Sequence, residues 1–245
     1  MKKQFKRLAR TLALGGLATA ATLGLSGCDE GVLQKVFELC PQVDLVFVMD
    51  TSGSMDDEAE ALCGIIADVE SELEALGAEL QVTILGITED ADDDSDFPCL
   101  TDNVADLLGT PVPGVDDQID DTEDWGPAVA VVAARFPWIA GALRVVVPIS
   151  DEDPQDGNSC FDPGSDRDAI DNAIVQANAN DVTVSPILAN QADADEDDLT
   201  CVEPLMNALA DATDGEVNTS LEPGDDLADA INSLIRAACE FVAGN

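Results

Sequence analysis

Asp50, Ser52 and Ser54 alternate in the run Asp50-Thr51-Ser52-Gly53-Ser54-Met55. At that spacing one turn aims a carboxylate and two hydroxyls at a common point, and Gly53 permits the tight backbone such a turn needs. Oxygen donors of this kind suit a hard cation such as magnesium, manganese or calcium, and not zinc or copper. The same residues are poorly equipped for catalysis. The chain contains no His, which removes the usual general base and excludes Ser-His-Asp and Cys-His chemistry. Lys35 and the four Arg residues beyond position 27 lie outside the motif, so neither serine has a basic partner to activate it. Asp50-Thr51-Ser52 also lacks the second Asp of the DxD phosphohydrolases. The expectation is a binding protein, not an enzyme.

The elements that must carry these side chains alternate between strand and helix. Residues 43–49 form a nearly continuous apolar run, as a strand covered on both faces does. Leu62, Ile65, Ile66, Val69, Leu73 and Leu76 then recur at helical spacing up to Gly77. A second strand is predicted over 80–87, a short helix near 104–108, a helix over 125–138 and a strand over 143–149. There follow a helix over 166–180, a strand over 182–188, a helix over 202–213 and a short strand near Val217. A last helix carries Leu227, Ile231, Leu234, Ile235, Ala238 and Phe241 on its apolar face. Such alternation predicts an α/β fold: a mostly parallel central sheet with helices on both faces. Pro148 conflicts with a central strand, because it cannot donate to a ladder; pairing is expected to be ending where it falls.

In an open parallel sheet the ligand crevice lies at the carboxyl ends of the strands, at the switch point. Asp50-x-Ser52-x-Ser54, placed after Leu45-Val46-Phe47-Val48-Met49 and before an amphipathic helix, resembles the metal-ion-dependent adhesion site of von Willebrand factor type A (vWA) domains. The resemblance spans roughly 43–241 and implies a three-layer, Rossmann-like fold. It also implies two further ligands from later loops. Thr122 matches the family's Thr in lying ahead of a helix. Asp151 matches the Asp of the family's Thr-Asp-Gly, although here the chain reads Ser150-Asp151-Glu152 and the Gly is lost. By resemblance, Ser52 and Ser54 are direct ligands, Thr122 is a state-dependent one, and Asp50 and Asp151 are outer carboxylates. The ion is Mg2+, Ca2+ or Mn2+, and one open coordination position takes a carboxylate from a protein partner. A competing expectation is a structural scaffold of the cell envelope, in which the metal only steadies loops.

The N-terminus sets the compartment. Residues 1–10 are basic, 11–25 are apolar but too short to span a bilayer as a mature helix, and Leu25-Ser26-Gly27-Cys28 resembles the bacterial lipobox. This implies a signal peptide over 1–27, acylation of Cys28, a tether over 28–40 and one vWA domain over 41–245. The membrane is then met through the lipid alone, with the domain facing the periplasm or exterior. Six further cysteines in an oxidising space suggest three disulfides, ordered as Cys40–Cys239, then Cys63–Cys99 and Cys160–Cys201.

Of 245 residues, 51 are acidic and 10 basic. Beyond position 27 only five basic residues remain against all 51 acids, a formal charge of −46. That surface repels phosphate backbones and excludes nucleic acid as a partner. With 46% hydrophobic residues the chain can still build a core. The acidic runs at 92–96 and 193–198 do not fit a calcium-binding EF-hand loop: Asp198 stands where Gly is required and Pro204 where a bidentate Glu belongs. Both read as solvated surface loops.

Overall fold

The computed structural model describes residues 42–55, 59–60, 62–67, 79–88, 99–104, 122–155, 163–189 and 196–221, together with residues 71, 119 and 233. The expected helix at 104–108 (beyond Val104), the last helix, the tether, Cys28, Cys40, Cys160 and Cys239 lie outside the described residues. Seven strands are described: β1 (Gln42–Met49), β2 (Glu79–Gly86), β3 (Asp102–Asn103), β4 (Leu143–Ser150), β5 (Val182–Val184), β6 (Ile187–Ala189) and β7 (Asn218–Leu221). They form one sheet in the order β3-β2-β1-β4-β6-β7, with β5 also paired to β4. Every described pairing is parallel. Three helices accompany them: α1 (Trp125–Arg135), α2 (Pro163–Ala179) and α3 (Glu196–Ala212). Residues 59–60 and 62–67 are helical as well.

The two-residue period of the strands divides the interior into two cores. Leu45, Phe47 and Met49 of β1 join Val145, Val147 and Ile149 of β4, and meet Met55, Ala59 and Leu62 on one face. Val46, Val48 and Val146 point the other way, onto Trp125, Val129 and Val132 of α1, Ile170 and Ala173 of α2, and Val202 and Met206 of α3. The fold is therefore α/β, with a parallel sheet covered by helices on both faces, consistent with the Rossmann-like vWA architecture. Among the described residues no helix is long and apolar enough to cross a membrane.

Two expectations about strands need correcting. The strand predicted over 182–188 is two strands, broken at Ser185-Pro186. Pairing also does not end at Pro148, since β4 stays in register with β1 through Val48↔Pro148 and Met49↔Ile149. The reason is the alternation of backbone groups along a parallel strand. Ile149 offers its carbonyl to Asp50 N on the β1 side, and Val146 offers its own to Ser185 N on the other side. Pro148 thus turns its missing donor toward the break between β5 and β6, where no ladder bond is required. α1 is also shorter than predicted, because the chain leaves the helix at Phe136 and continues as a loop through Trp138 and Ile139.

One buried polar residue in β1 was not anticipated. Asp44 is wholly buried, and its Oδ2 accepts a hydrogen bond from Ile139 N at 2.8 Å, fastening the loop after α1 to the sheet. Burial pushes its carboxyl above the usual carboxylate range; the Ile139 N–H and the charge of Arg144, its neighbour across β1–β4, oppose that rise.

Candidate metal centre

β1 and β4 are adjacent, and the chain departs from them toward opposite edges of the sheet, so their carboxyl ends flank the switch point. The residues after β1 carry Asp50, Ser52 and Ser54; those at the end of β4 and after it are Ser150 and Asp151. Asp50 N donates to Ile149 O at 3.0 Å, continuing the β1–β4 register beyond Met49 and bringing the two loops side by side.

A turn forms from Asp50 onward. The Ser52 N–H donates to Asp50 Oδ1 at 2.8 Å, an Asx-type turn, and Gly53–Met55 wind into a short 3-10 turn that seats Met55 in the core. The two serine hydroxyls come within 2.9 Å of each other, and Ser54 Oγ lies 3.4 Å from Asp151 Oδ1. Asp50 is wholly buried, Asp151 is 2% exposed and Ser52 9%, while Ser54 lies at the surface. The cup therefore has a closed carboxylate floor and an open hydroxyl rim.

These separations match the edges of a coordination sphere. Two cis ligands of an octahedral ion at about 2.0–2.4 Å stand about 2.8–3.4 Å apart. The donors are hydroxyl and carboxylate oxygens, the set a hard divalent cation prefers. Among the described residues no group of three or more His, Cys, Asp or Glu side chains is placed to hold a metal; this cup has two carboxylates, and hydroxyls supply the rest. Its electrostatics fit the same ion. Burial, and after it the negative charge of Asp50, push the Asp151 carboxyl up to about 6, against the pull of a backbone hydrogen bond and of the Ser54 hydroxyl. A cation held between the two carboxylates would relieve that repulsion.

The structure thus brings Asp50, Ser52, Ser54 and Asp151 together. Thr122 reaches the same place through its main chain, its carbonyl accepting the Thr51 N–H at 3.2 Å. It stands three residues before α1, as the helix predicted from position 125 implies. The Asp151 loop lacks the expected Gly and is held by α1 instead. Trp125 Nε1 donates to Glu152 O at 3.0 Å and Gly126 N to Pro154 O at 3.0 Å. Neither contact was legible in the sequence, where Trp125 read only as the start of a helix. On the other side, Thr51 Oγ1 donates to Thr88 O at 3.2 Å, pinning the motif to the end of β2.

Of the predicted disulfides, Cys63–Cys99 is present, with Cα atoms 5.3 Å apart. It links the helical segment that follows the motif to the chain entering β3. Cys201 is also disulfide-bonded, and its partner lies outside the described residues.

No protein-family profile and no characterised protein sequence matches the chain. Among solved structures, it is similar to an aerotolerance-related membrane protein from Bacteroides fragilis NCTC 9343 carrying multiple mutations to serines. The identity there is 18% and the TM-score 0.48, over 79% of this chain and 98% of the other. It is also similar to a point mutant of the PilB minor pilin from Streptococcus sanguinis, at 12% identity and a TM-score of 0.53. That match covers 83% of this chain and 64% of the pilin, so the chain spans less than two thirds of the pilin's length. At such identity the likeness to the pilin extends to the fold, and the fold it shares is the parallel α/β sheet described above.

Proposed function

We propose that this chain is a vWA-type binding module that holds a divalent cation at Asp50, Ser52, Ser54 and Asp151, with Thr122 completing the sphere in one of its states. The open position on the ion takes a carboxylate of a protein partner. The observation that carries this reading is the convergence of hydroxyls and carboxylates from the ends of β1 and β4, at separations of 2.9 and 3.4 Å. Two serines on the rim and two carboxylates beneath them bind the ion from one side, leaving its outer face to a ligand. When bound, the ion supplies a positive charge at the surface of a strongly acidic molecule, and the residues of the chain only position it. With no His in the sequence and no basic side chain in the motif, the serines act as donors to an ion and not as nucleophiles. The lipobox-like Leu25-Ser26-Gly27-Cys28 supports anchoring of this module to the cell envelope through an acylated Cys28.

The test is calorimetric titration of Mg2+, Mn2+ and Ca2+ into the chelator-treated chain, then partner capture with and without chelator. Uptake of one ion per chain supports the reading, and capture that is the same in both conditions removes the metal-mediated mechanism. A second reading is favoured by the Cys63–Cys99 disulfide and by the hydrogen bonds that the protein itself makes to both Asp50 oxygens. On that view the module is a scaffold and the cation steadies two loops. The joint substitution Ser52→Ala, Ser54→Ala separates the two: it abolishes capture under the first and only lowers thermal stability under the second.

A further inference from the structure

Ser150, the last residue of β4, lies between the two halves of the cup. Its side chain is wholly buried. Its hydroxyl donates to Asp50 Oδ2 at 2.6 Å and accepts the Glu152 N–H at 3.1 Å. The other Asp50 oxygen accepts the Ser52 N–H at 2.8 Å. Asp50 is therefore gripped at both oxygens, once from its own turn and once from the neighbouring strand. The grip follows from the parallel register: Met49 pairs with Ile149, so the next rung sets Asp50 beside Ser150.

We propose that Ser150 is a positioning residue for the cation, an inference that rests on the cation reading given above. Its single hydroxyl hydrogen is committed to Asp50 and one lone pair to the Glu152 N–H, so its influence runs through these two groups. The bond to Asp50 is charge-assisted and short, which fixes the plane of the carboxylate. The bond from Glu152 N fixes the peptide immediately after Asp151. One hydroxyl thus couples the orientation of both carboxylates across 100 residues of sequence. Removing it leaves the buried Asp50 oxygen without that donor and the Glu152 N–H without that acceptor, and both carboxylates gain freedom to turn away from the ion. Partners one shell removed from a metal change its affinity by about 10–100-fold when lost.

The experiment uses the full chain with Mn2+ alone as the probe, and compares wild type, Ser150→Ala, Ser150→Thr and Ser150→Val. Thr and Val have the same shape and differ in the hydroxyl, which separates positioning from packing. Mn2+ affinity is measured by calorimetry, and thermal unfolding is followed in chelator as a control on the fold. The expected result is Mn2+ affinity reduced about 10–100-fold in Ser150→Ala and Ser150→Val, with Ser150→Thr close to wild type. Equal affinity of the Thr and Val variants overturns the inference, as does an unchanged Ser150→Ala, while leaving the cation reading intact. A wild-type chain that takes up no Mn2+ overturns both.

Discussion

If Ser52 and Ser54 are rim ligands, each hydroxyl contributes separately to the ion and little to the core. Ser54→Ala removes a surface hydroxyl and is expected to leave metal-free stability within about 0.5 kcal/mol of wild type, while cutting cation affinity severely. Calorimetry set beside thermal unfolding in chelator checks the two halves of that statement. Asp44 behaves in the opposite way, since its side chain takes no ligand role and is wholly buried in the core. Its carboxyl is raised from 3.8 by burial, so the stability it contributes is fully present below that value and is lost as pH rises through the folded-state pKa. Asp44→Asn keeps an acceptor for the Ile139 N–H and removes the charge. Unfolding of the variant is expected to depend less on pH than that of wild type in the window just above pH 3.8. An identical pH dependence of the two chains would show that the Asp44 charge does not matter to folding. These side chains differ in how openly the sequence announces them. Asp50, Ser52 and Ser54 form a local pattern, and Asp151 ends an apolar run, so each can be read from its neighbours. Ser150 cannot, because its role exists only once β1 and β4 are set in register. Thr122 stands ahead of α1 at the expected distance, but the acidic stretch around it carries no periodicity from which the bond of its carbonyl to the Thr51 N–H could be read.

At the level of elements, the site depends on fastenings made by segments that hold no ligand. The close approach of α1 to the Asp151 loop requires Gly126: a Cβ there would meet the Pro154 Cβ and O at 3.0 Å and the Ala169 Cβ at 3.2 Å. Gly126→Ala is expected to cost about 1–3 kcal/mol by overpacking, and to weaken cation binding because the displaced loop carries Asp151. A variant that loses stability and keeps full Mn2+ affinity would show that the loop tolerates the shift. The Cys63–Cys99 disulfide, at a sequence separation of 36, restrains the unfolded chain by about 3–4 kcal/mol. Replacing both cysteines with serine should lower the denaturant midpoint accordingly, and urea titration measures it. Strand and helix order followed from apolar periodicity, and most elements lie within a few residues of their predicted bounds. The exceptions are physical. Ser185-Pro186 divides an apolar run that reads as continuous, and Pro148 is tolerated because its empty side meets that division. α3 begins at Glu196 instead of 202, taking in acidic residues that read as a loop but that a helix N-terminus favours.

For the molecule as a whole, negative charge governs how it responds to its surroundings. With 51 acidic residues against 10 basic ones, and the Arg167–Asp171 pair exposed on both sides, the native state repels itself. Screening shortens the reach of that repulsion from about 10 Å at 0.1 M salt to about 3 Å at 1 M. Thermal stability is therefore expected to rise with sodium chloride over this range, and cation affinity to fall, because the same field that strains the fold attracts the ion. Melting temperature and Mn2+ titration along one salt series test both trends, and parallel movement of the two would contradict a shared electrostatic origin. Composition made this charge legible at once, whereas the position of the cup within it depended on which strands lie side by side.

All the described strands run in one direction, so the carboxyl ends of β2, β3, β6 and β7 lie on the same edge of the sheet as the cup. The bonds that grip Asp50, from Ser52 N and from the Ser150 hydroxyl, come from the ends of β1 and β4 themselves. Under the proposed reading, the face that a partner meets can therefore change through the neighbouring strand ends while the grip on Asp50 is kept.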